Sequence, residues 1–567
     1  MVSTRIRNAL VLLCAAGGCI IWSAARPQKS SVRLSGSSIR FENRQARSGV
    51  RFVLNNGTTE DKPIIDSMLG GVAVFDYDND GYLDIYFTNG ARIPSLEKDG
   101  PAFYNRLFHN NHDGTFTDVT ERAGVKGDGY SMGVAAADYD NDGWTDLYVT
   151  GVNRNILYRN NGDGTFTDVT EKAGVGGITS GGKKPWSVAA AWIDYNNDGL
   201  LDLFVANYVD WSVAKNRVCG DPGRRLSCTP ELYDPLPNIL YRNNGDGTFT
   251  DVSEATDIAQ HPGKAMSVAI ADYDEDGFMD IFVANDREPN SLFHNLGGKE
   301  FAEVGVESGV ALTDDGLAVS SMGADFRDVN NDGRPDVVVT TLEGEAFHYF
   351  SNLGRGLFSD RSYPAGIGYA STQMSGWGIG AYDFDNDGFK DLFTANSHVH
   401  ENVQFYWPEQ YRQPNAVFHN ESGDRFRNVS SSAGPALREA AAHRGTAFGD
   451  LNNDGKVDVV VSAIGSPAEL LYNTSPGTNH WILIQTVGKA SDRDGIGTRI
   501  KLTGESGLTQ YNQVTTSVGY ASSSDKRVHF GLGADRRIRE IELRWPSGKV
   551  QVLKDVAVDQ VLKVVEE

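Results

Sequence analysis

The chain has 567 residues, a formal net charge of -23 at pH 7 and a pI near 4.9. This acidity leaves no basic stripe that could neutralise phosphates, so it excludes a nucleic-acid backbone as the expected partner and favours cations. With 63 glycines and only 4 cysteines, the composition favours a turn-rich β protein over a disulfide-dense miniature scaffold.

Residues 1–25 have the pattern of an export signal. Arg5 and Arg7 precede an apolar run that ends in the small residues "SAA". The run is short for a membrane-spanning helix, which favours a cleaved signal peptide; a retained membrane anchor and a lipoprotein site at Cys19 are the alternatives. We therefore expect an exported protein that is secreted, periplasmic or held at the cell surface. Residues 26–38 are predicted to be a linker, and the only expected membrane contact is an uncleaved anchor.

An aspartate-rich nonapeptide recurs seven times, and we number the copies loops 1 to 7. They are "DYDNDGYLD" at 76, "DYDNDGWTD" at 138, "DYNNDGLLD" at 194, "DYDEDGFMD" at 272, "DVNNDGRPD" at 328, "DFDNDGFKD" at 383 and "DLNNDGKVD" at 450. Their spacing of 55 to 78 residues is the size of one propeller blade or solenoid repeat with added loops. Short apolar runs flank each copy and are predicted to be strands.

A second repeated segment indicates how the repeats close. Segments similar to "GTFTDVTERAGV" follow the first six loops, and their aromatic residues are Phe116, Phe166, Phe249, Phe301, Phe358 and Phe426. The seventh loop has no such segment after it, but "FENRQARSGV" places Phe41 and Gly49 upstream at the matching offset. An N-terminal strand that completes the last blade hides the sheet edges of a closed ring. We therefore predict an all-β fold with a closed seven-bladed β-propeller over residues 39–478, rather than an open array.

Small residues recur five positions before each loop. They are Gly71, Gly133, Ala189, Ser267, Gly323, Gly378 and Gly445. Small side chains on one strand face are typical of the innermost strands of a propeller, where backbones crowd together. One position earlier stand Met132, Met266, Met322, Trp377 and Arg444. These larger side chains are predicted to pack around the axis, with an axial mouth as the alternative.

Two insertions carry the remaining distinctive residues. Cys219 and Cys228 are predicted to form a disulfide, because an exported protein with one close cysteine pair usually bridges it. Two free thiols or a metal pair are the alternatives. Aromatic and histidine side chains in the segments 208–237 and 397–415 form a candidate ligand surface, with the covering of blade edges as the alternative. The candidates are Trp211, Tyr233, His398, His400, Tyr406 and Trp407.

The repeat stops at about residue 479. The segments "NHWILIQTVG", "GTRIKLTG", "KRVHFGLG" and "RIREIELRWPSG" are predicted strands of a small C-terminal β domain over residues 479–567. This length is sufficient for a small core of its own.

The nonapeptide has the chemistry of a calcium loop. Positions 1, 3, 5 and 9 carry oxygen side chains, position 6 is always Gly, and position 7 can offer a backbone carbonyl. Mg²⁺ fits less well because it demands a stricter octahedron, and soft metals lack soft ligands. An EF-hand is excluded by Phe87 and Val149, which stand where its twelfth-position glutamate is required. The alternative, that the loops are only polar turns, suits one loop better than seven.

Up to seven Ca²⁺ ions are therefore predicted. The candidate ligands are Asp76, Asp78, Asp80, Tyr82, Asp84, Asp138, Asp140, Asp142, Trp144, Asp146, Asp194, Asn196, Asp198, Leu200, Asp202, Asp272, Asp274, Asp276, Phe278, Asp280, Asp328, Asn330, Asp332, Arg334, Asp336, Asp383, Asp385, Asp387, Phe389, Asp391, Asp450, Asn452, Asp454, Lys456 and Asp458.

These motifs resemble a known family. The loops and their strand marks resemble the FG-GAP or VCBS repeats of integrin-α-type propellers, and "GIGTRI", "VHFGLG" and "WPSGKV" resemble an ASPIC/UnbV domain. The whole arrangement is similar to the cartilage acidic protein 1 family. The resemblance implies a seven-bladed propeller, Ca²⁺ in the blades, export, and an adhesion or binding role. The asparagines at position 3 of three loops and the cysteine-containing insertion depart from the pattern.

Three functions are consistent with these features. The leading one is an exported, non-catalytic adhesion or ligand-binding module with a glycan or protein ligand. The second is a carbohydrate-active or other enzyme, for which "GYSMG" matches a nucleophile elbow and "SHVH" could supply acid–base groups; Ser131, however, precedes a strand where the elbow requires a helix. The third is an interaction scaffold that uses the C-terminal domain.

Overall fold

The computed structural model describes residues 39–567 apart from residues 180 and 424. Its regular structure is almost entirely β, and each helix is a short segment of three to five residues. The expected signal or anchor (1–25) and the linker (26–38) lie outside the described residues. Among the described residues, no helix is long and apolar enough to span a membrane.

The strands up to residue 473 form the repeated part of the fold. In chain order they are β1 (Phe41–Asn43), β2 (Val72–Phe75), β3 (Asp84–Phe87), β4 (Arg106–Asn110), β5 (Phe116–Asp118), β6 (Tyr130–Ala137), β7 (Asp146–Val152), β8 (Ile156–Asn160), β9 (Phe166–Asp168), β10 (Ser187–Ile193), β11 (Asp202–Asn207), β12 (Cys219–Asp221), β13 (Arg224–Leu226), β14 (Ile239–Asn243), β15 (Phe249–Asp251), β16 (Ala265–Ala271), β17 (Asp280–Asn285), β18 (Ser291–Asn295), β19 (Phe301–Glu303), β20 (Ala324–Arg327), β21 (Asp336–Val339), β22 (His348–Gly354), β23 (Leu357–Asp360), β24 (Gly376–Tyr382), β25 (Asp391–Asn396), β26 (Gln413–Pro414), β27 (Ala416–Asn420), β28 (Phe426–Asn428), β29 (Ala440–Gly449), β30 (Asp458–Ile464) and β31 (Glu469–Asn473).

Short helical segments connect these strands. The α-helical turns are α1 (Gln45–Ser48), α2 (Thr120–Ala123), α3 (Thr170–Ala173), α4 (Gly305–Ser308) and α5 (Ile367–Ser371). The 3-10 turns are Ile64–Ser67, Val213–Lys215, Pro230–Leu232, Ile258–Gln260, Val403–Phe405, Ser430–Ser432 and Ala436–Arg438.

Antiparallel sheets arranged as blades dominate the fold. Six sheets have four strands in chain order, namely β2 to β5, β6 to β9, β10-β11-β14-β15, β16 to β19, β20 to β23 and β24-β25-β27-β28. A further sheet has the order β1-β31-β30-β29-β26. The first strands β2, β6, β10, β16, β20, β24 and β29 each lie beside the next, and β29 lies beside β2. The predicted all-β propeller fold is confirmed.

Small residues on the first strands make this ring possible. A Cβ atom added to Gly71 would lie 2.6 Å from the Cα atom of Gly133 in the neighbouring first strand. Only residues without bulk on this face allow adjacent backbones to approach so closely. The small residues five positions before each loop therefore mark the inner strands, as predicted.

The N-terminal strand completes the last sheet. β1 pairs antiparallel with β31, and Phe41 lies opposite Asn473. In the first sheet Phe116 lies opposite Asn110 in the same manner. Phe41 thus occupies in the last sheet the place that Phe116 holds in its own, and the predicted closure by the N-terminal strand is confirmed.

The C-terminal residues form two smaller sheets. Their strands are β32 (His480–Val487), β33 (Arg499–Gly504), β34 (Thr509–Gln513), β35 (Val528–Gly533), β36 (Arg537–Arg544), β37 (Val550–Ala557) and β38 (Gln560–Val565). The sheet orders are β35-β32-β38 and β34-β33-β36-β37. The buried residues of these sheets form one continuous hydrophobic cluster with those of the propeller, as Ile484 and Leu543 share a cluster with Trp192 and Val268.

The connection between β34 and β35 fills the propeller axis. Within residues 514–525, the Gly519 N–H donates to the Ala324 carbonyl at 2.8 Å and the Ser523 N–H donates to the Val72 carbonyl at 2.9 Å. The backbone N–H groups of this segment therefore find hydrogen-bond acceptors on the first strands of different blades. Its sequence contains no signal for these partners.

The large residues near the axis surround this plug. Tyr520 is fully buried, and its ring centroid lies 4.9 Å from that of Trp377. The guanidinium carbon of Arg444 lies 4.1 Å from the centroid of Trp377. Met132, Met266 and Met322 belong to the same hydrophobic cluster as Tyr520. Their predicted packing role is confirmed.

Candidate metal loops

Each nonapeptide joins the first strand of a sheet to the second and curls around its own carboxylates. In loop 1, Asp76 accepts hydrogen bonds from the backbone N–H groups of Asp80 at 3.1 Å and Gly81 at 2.9 Å. Gly81 has a φ of 90°, a left-handed conformation that favours glycine. Loop 2 has the same geometry, because Asp138 accepts from Asp142 at 3.0 Å and from the glycine after it at 2.7 Å.

The last carboxylate of each loop is anchored in the second strand. Asp84 is 1 % exposed and accepts from the backbone N–H groups of Tyr77 at 3.1 Å and Asn110 at 2.8 Å. Its removal from water raises its pKa to about 7. The equivalent residues are also buried, namely Asp146, Asp202, Asp280, Asp336, Asp391 and Asp458. This carboxylate therefore has a fixed position before any ligand binds.

The donor set fits a hard divalent cation. Carboxylate oxygens of Asp76, Asp78 and Asp80 lie within 4.8 Å of one another in loop 1, as do those of Asp138, Asp140 and Asp146 in loop 2. In these two loops, the Oδ1 atoms of Asp78 and Asp140 are shielded from solvent and lack a hydrogen-bond partner. A buried unpaired carboxylate oxygen is costly, and a bound cation would satisfy it.

Loops in adjacent blades are joined by one amide from each third strand. The Nδ2 of Asn160 donates to the Thr145 carbonyl of its own loop at 3.1 Å and to the Tyr77 carbonyl of loop 1 at 2.8 Å. Asn110 makes the equivalent bond to the Leu451 carbonyl of loop 7 at 2.9 Å, which closes the circle. The residues that make this pair of bonds are Asn110, Asn160, Asn243, Asn295, Asn352, Asn420 and Asn473.

A second set of amides joins the loops directly, and we call it the loop ring. The position-4 side chain of one loop donates to the position-6 carbonyl of the next, as Asn79 donates to Gly143 at 2.9 Å. Asn453 of loop 7 donates to Gly81 of loop 1 at 3.0 Å. The members are Asn79, Asn141, Asn197, Asn331, Asn386 and Asn453.

Loop 4 interrupts the loop ring, because its fourth position is Glu275, which cannot donate. Arg499 of the C-terminal domain replaces the missing amide. Its Nη2 donates to Glu275 Oε1 at 2.8 Å and to the Gly333 carbonyl of loop 5 at 3.1 Å. The C-terminal domain thus completes a circle of bonds that the repeats leave open at one place.

Comparison with known families agrees with this architecture. Residues 95–149, 138–205, 232–283, 274–339 and 328–394 match the FG-GAP-like repeat, and residues 488–567 match the family described as ASPIC and UnbV. The chain carries FG-GAP-like repeats followed by an ASPIC and UnbV domain. The resemblance inferred from the sequence motifs is confirmed.

Relatives that align with most of the chain are known. Cartilage acidic protein 1 of Mus musculus is 25% identical over 518 residues, which cover 88% of this chain and 73% of the relative. The Homo sapiens protein of the same name is also 25% identical over 518 residues, covering 88% of this chain and 71% of its own length.

Solved structures with similarity to the chain are more distant. An Agrocybe aegerita lectin that recognises non-reducing terminal N-acetylglucosamine is 18% identical, with 64% of this chain and 80% of the lectin covered and a TM-score of 0.37. Saccharomyces cerevisiae Sqt1 is 8% identical, with 78% and 100% covered and a TM-score of 0.37.

Side chains of the third strands also approach the loops of the FG-GAP-like repeats, and the sequence analysis overlooked them. In loop 2, Arg159 Nε donates to Asp140 at 2.6 Å and its Nη2 donates to Asp142 at 2.9 Å. In loop 4, His294 Nδ1 lies 3.1 Å from Asp280. The available signal is the residue before each third-strand asparagine, which is His, Arg, Ser or Tyr. The loops therefore differ in the cationic groups that already face them.

The candidate ligand surface lies on two segments that contact each other, and we call residues 208–237 and 397–415 the cap. The predicted disulfide is present, with Cys219 and Cys228 Sγ atoms 2.05 Å apart at the base of the β12–β13 hairpin. The hydroxyl of Tyr406 accepts from the Asp221 N–H at 3.1 Å and donates to the Arg224 carbonyl at 2.9 Å. The two segments thus hold each other in place.

The candidates within the cap differ in accessibility. Trp211 and Tyr233 are 5 % and 7 % exposed and support the insertion from beneath, as the alternative interpretation expected. His398 and His400 are half-buried, and burial lowers their pKa values to about 3 and 4, so both imidazoles are neutral near pH 7. Only Tyr406 and Trp407 of the six are substantially exposed, and Trp407 is 50 % exposed.

Proposed function

We propose that the protein is an exported calcium-binding β-propeller that acts as a non-catalytic adhesion or ligand-binding module. The observation that supports the calcium assignment best is the pair of buried, unpartnered carboxylate oxygens of Asp78 and Asp140, each within a loop of oxygen ligands. Oxygen-only donors with a glycine-enabled turn are the set that Ca²⁺ prefers.

The carboxylates of these loops are preorganised for ion binding. Backbone N–H groups hold the carboxylates of positions 1 and 9, so that few torsions remain to be ordered on binding. A bound Ca²⁺ would supply positive charge that offsets the mutual repulsion of the carboxylates. The loop ring then connects each site to its neighbours through an amide. This arrangement favours a structural rather than a catalytic role for the ions.

The binding role is supported by the relatives and by the placement of the catalytic candidates. Ser131 is 2 % exposed inside β6, where the Asn105 amide donates to its hydroxyl at 3.2 Å. A nucleophile elbow must present its serine at an exposed strand-to-helix turn. The disulfide of the cap supports export, since such bonds persist in oxidising compartments.

Calcium stoichiometry tests this proposal. We expect several equivalents of Ca²⁺ by calorimetry and a lower melting temperature in excess chelator, because ions that bind the folded state stabilise it by mass action. Asp140→Asn should remove about one equivalent. Asp163→Asn, in an exposed turn of the same blade outside the loops, is the matched control. Failure to bind Ca²⁺, or a melting temperature that chelator leaves unchanged, would contradict the calcium assignment.

The ligand requires a separate screen. Glycan and protein arrays probed with and without Ca²⁺ should reveal a ligand whose retention depends on the loaded loops. Turnover of an array glycan instead of retention would favour the enzyme alternative.

A further inference from the structure

A cleft lies between the C-terminal domain and loops 4 and 5. Over loops 3 and 6 the domain packs directly on the loop glycine, since a Cβ atom added to Gly199 or Gly388 would lie 2.6 Å from Ala490 or Leu508. At Gly277 of loop 4, by contrast, no described atom lies within 4 Å of such a Cβ. The cleft has a volume of about 740 Å³, within the range of about 300–1,000 Å³ that small-molecule sites occupy.

One buried amide oxygen at this cleft lacks a partner. Gln513 lines the cleft and is 3 % exposed. Its Nε2 donates to the carbonyls of Ile270 at 2.7 Å and Phe326 at 3.1 Å, which belong to the first strands of blades 4 and 5 and fix the orientation of the amide. The Oε1 atom is therefore directed away from these carbonyls, and it makes no hydrogen bond with the described residues. A hydroxyl group in the cleft would satisfy this costly unpaired acceptor.

The arginines that line the cleft are already paired with carboxylates. Arg544 Nε donates to Glu542 at 2.8 Å, and Arg327 Nε donates to Asp325 at 3.0 Å. Arg499 is bonded to Glu275, as described above. Such pairs retain free N–H groups and oxygen lone pairs for further hydrogen bonds, whereas a charged ligand would have to compete with one member of a pair. The cleft therefore favours a neutral ligand that carries several hydroxyl groups.

Aromatic side chains supply apolar surface in the same cleft. Phe278 of loop 4, Tyr511 of β34 and Trp545 after β36 all line it. The Nζ atom of Lys501 lies 5.9 Å from the ring centroid of Tyr511 and adds a donor beside an aromatic face. Aromatic surface next to a few fixed polar groups suits a ligand with both apolar faces and hydroxyl edges, which is the chemistry of a sugar ring.

We propose that this cleft binds a short neutral saccharide, with Gln513 Oε1 accepting a hydrogen bond from a sugar hydroxyl and the aromatic side chains packing against ring faces. The site goes beyond the proposed binding role, because it lies between the propeller and the C-terminal domain rather than on the cap. It gives the C-terminal domain a direct part in recognising a small ligand.

Saturation-transfer difference NMR on the full-length protein with Ca²⁺ tests this site. The probes are glucose, galactose, mannose, xylose and N-acetylglucosamine at millimolar concentration, and we expect transfer to at least one of them. Val550 is 52 % exposed and lines the cleft, so Val550→Trp should obstruct it and weaken binding about tenfold or more. Val552→Trp is the matched control, because Val552 is 44 % exposed on the same strand but does not line the cleft.

Two further variants separate the acceptor and the cap from this result. Gln513→Leu should weaken binding about fivefold or more, since the acceptor is lost, and the surface variant Val550→Trp keeps the test decisive if Gln513→Leu does not fold. Trp407→Ala, on the cap, should leave the transfer unchanged. Absence of transfer to every probe, or transfer that Val550→Trp leaves intact, would overturn the inference. Stronger binding of glucuronate than of glucose would overturn the neutral class, and none of these results bears on a ligand bound at the cap.

Discussion

Arg499 should be replaceable by an amide at position 275, because it performs the task of the asparagine that loop 4 lacks. Arg499→Ala removes the donor to the Gly333 carbonyl, which lies in a buried residue, and leaves Glu275 without its partner. An unsatisfied buried carbonyl costs about 1–3 kcal/mol, whereas the loss of an ion pair to a half-exposed glutamate costs less than about 1 kcal/mol. We expect Arg499→Ala to lower the free energy of unfolding by about 2 kcal/mol.

Glu275→Asn should then compensate. Position 275 has a φ of 68°, similar to that of Asn197 at 56° and Asn331 at 61°, and asparagine tolerates this region better than glutamate. In the background of Arg499→Ala, the new amide can donate to Gly333 as Asn197 donates to Gly277 at 2.9 Å. About 1 kcal/mol or more should be recovered, whereas Glu275→Asn alone should change stability little.

A double-mutant cycle measures this coupling. Urea unfolding of the four proteins, with calcium fixed, gives the midpoint and slope of each transition. The matched control is Arg544→Ala, because Arg544 lies directly opposite Arg499 on β36 but bonds to Glu542 instead. That control should show no coupling to Glu275→Asn. If the double variant is as unstable as the sum of its single changes, Arg499 does not act as the missing member of the loop ring.

Three further outcomes are expected. Removal of residues 39–50 should expose β31 and cause aggregation or global destabilisation, and a truncated protein that stayed monomeric and equally heat-stable would disprove closure by β1. Cys219→Ser with Cys228→Ser should lower stability by about 2–3 kcal/mol at most and increase proteolysis within the cap, while a ring that unfolded with it would contradict a local role. Glu566→Gln should destabilise the protein by about 2 kcal/mol near pH 7, because hydrogen bonds from Ser547 and from backbone N–H groups overcome burial and lower the Glu566 pKa to about 2. Since that pKa is depressed from 4.5, the stability is present above pH 4.5 and lost as pH falls toward 2, so the difference from the parent should shrink over that range in acid unfolding.

Much of the fold follows from the sequence because each repeat contains its own signals. The small residues of the first strands, the glycine of each loop and the phenylalanine of each fourth strand all act through contacts within a blade or with its neighbour. Phe41 could therefore be assigned to the last sheet from its offset alone, and its pairing with Asn473 agrees. Local signals of this kind do not depend on the rest of the chain.

The contacts between distant parts could not be predicted in the same way. Asn110 is visible in the sequence, but its acceptor is the backbone carbonyl of Leu451, 341 residues away, and every residue has such a carbonyl. The plug at residues 514–525 is rich in Ser and Thr, whose hydrogen bonds are satisfied equally well by water or by strands. Trp211 was a candidate for the surface because it is an aromatic residue in an insertion, yet its ring packs against Trp186 with centroids 5.8 Å apart.

The two faces of the ring have different freedom to bind a ligand. On the loop face, the C-terminal domain covers much of the surface: the Arg493 N–H donates to Asn141 of loop 2 at 2.7 Å, and Arg527 donates to Asn453 of loop 7 at 2.9 Å. On the opposite face of the ring, Phe405 and Trp407 of the cap are about half exposed. They lie on a segment that the Tyr406 hydroxyl anchors to the neighbouring insertion. Exposed aromatic rings on a rigid support lose little entropy on binding. We therefore expect the proposed ligand to bind at the cap, while the metal loops and the C-terminal domain keep the ring rigid beneath it.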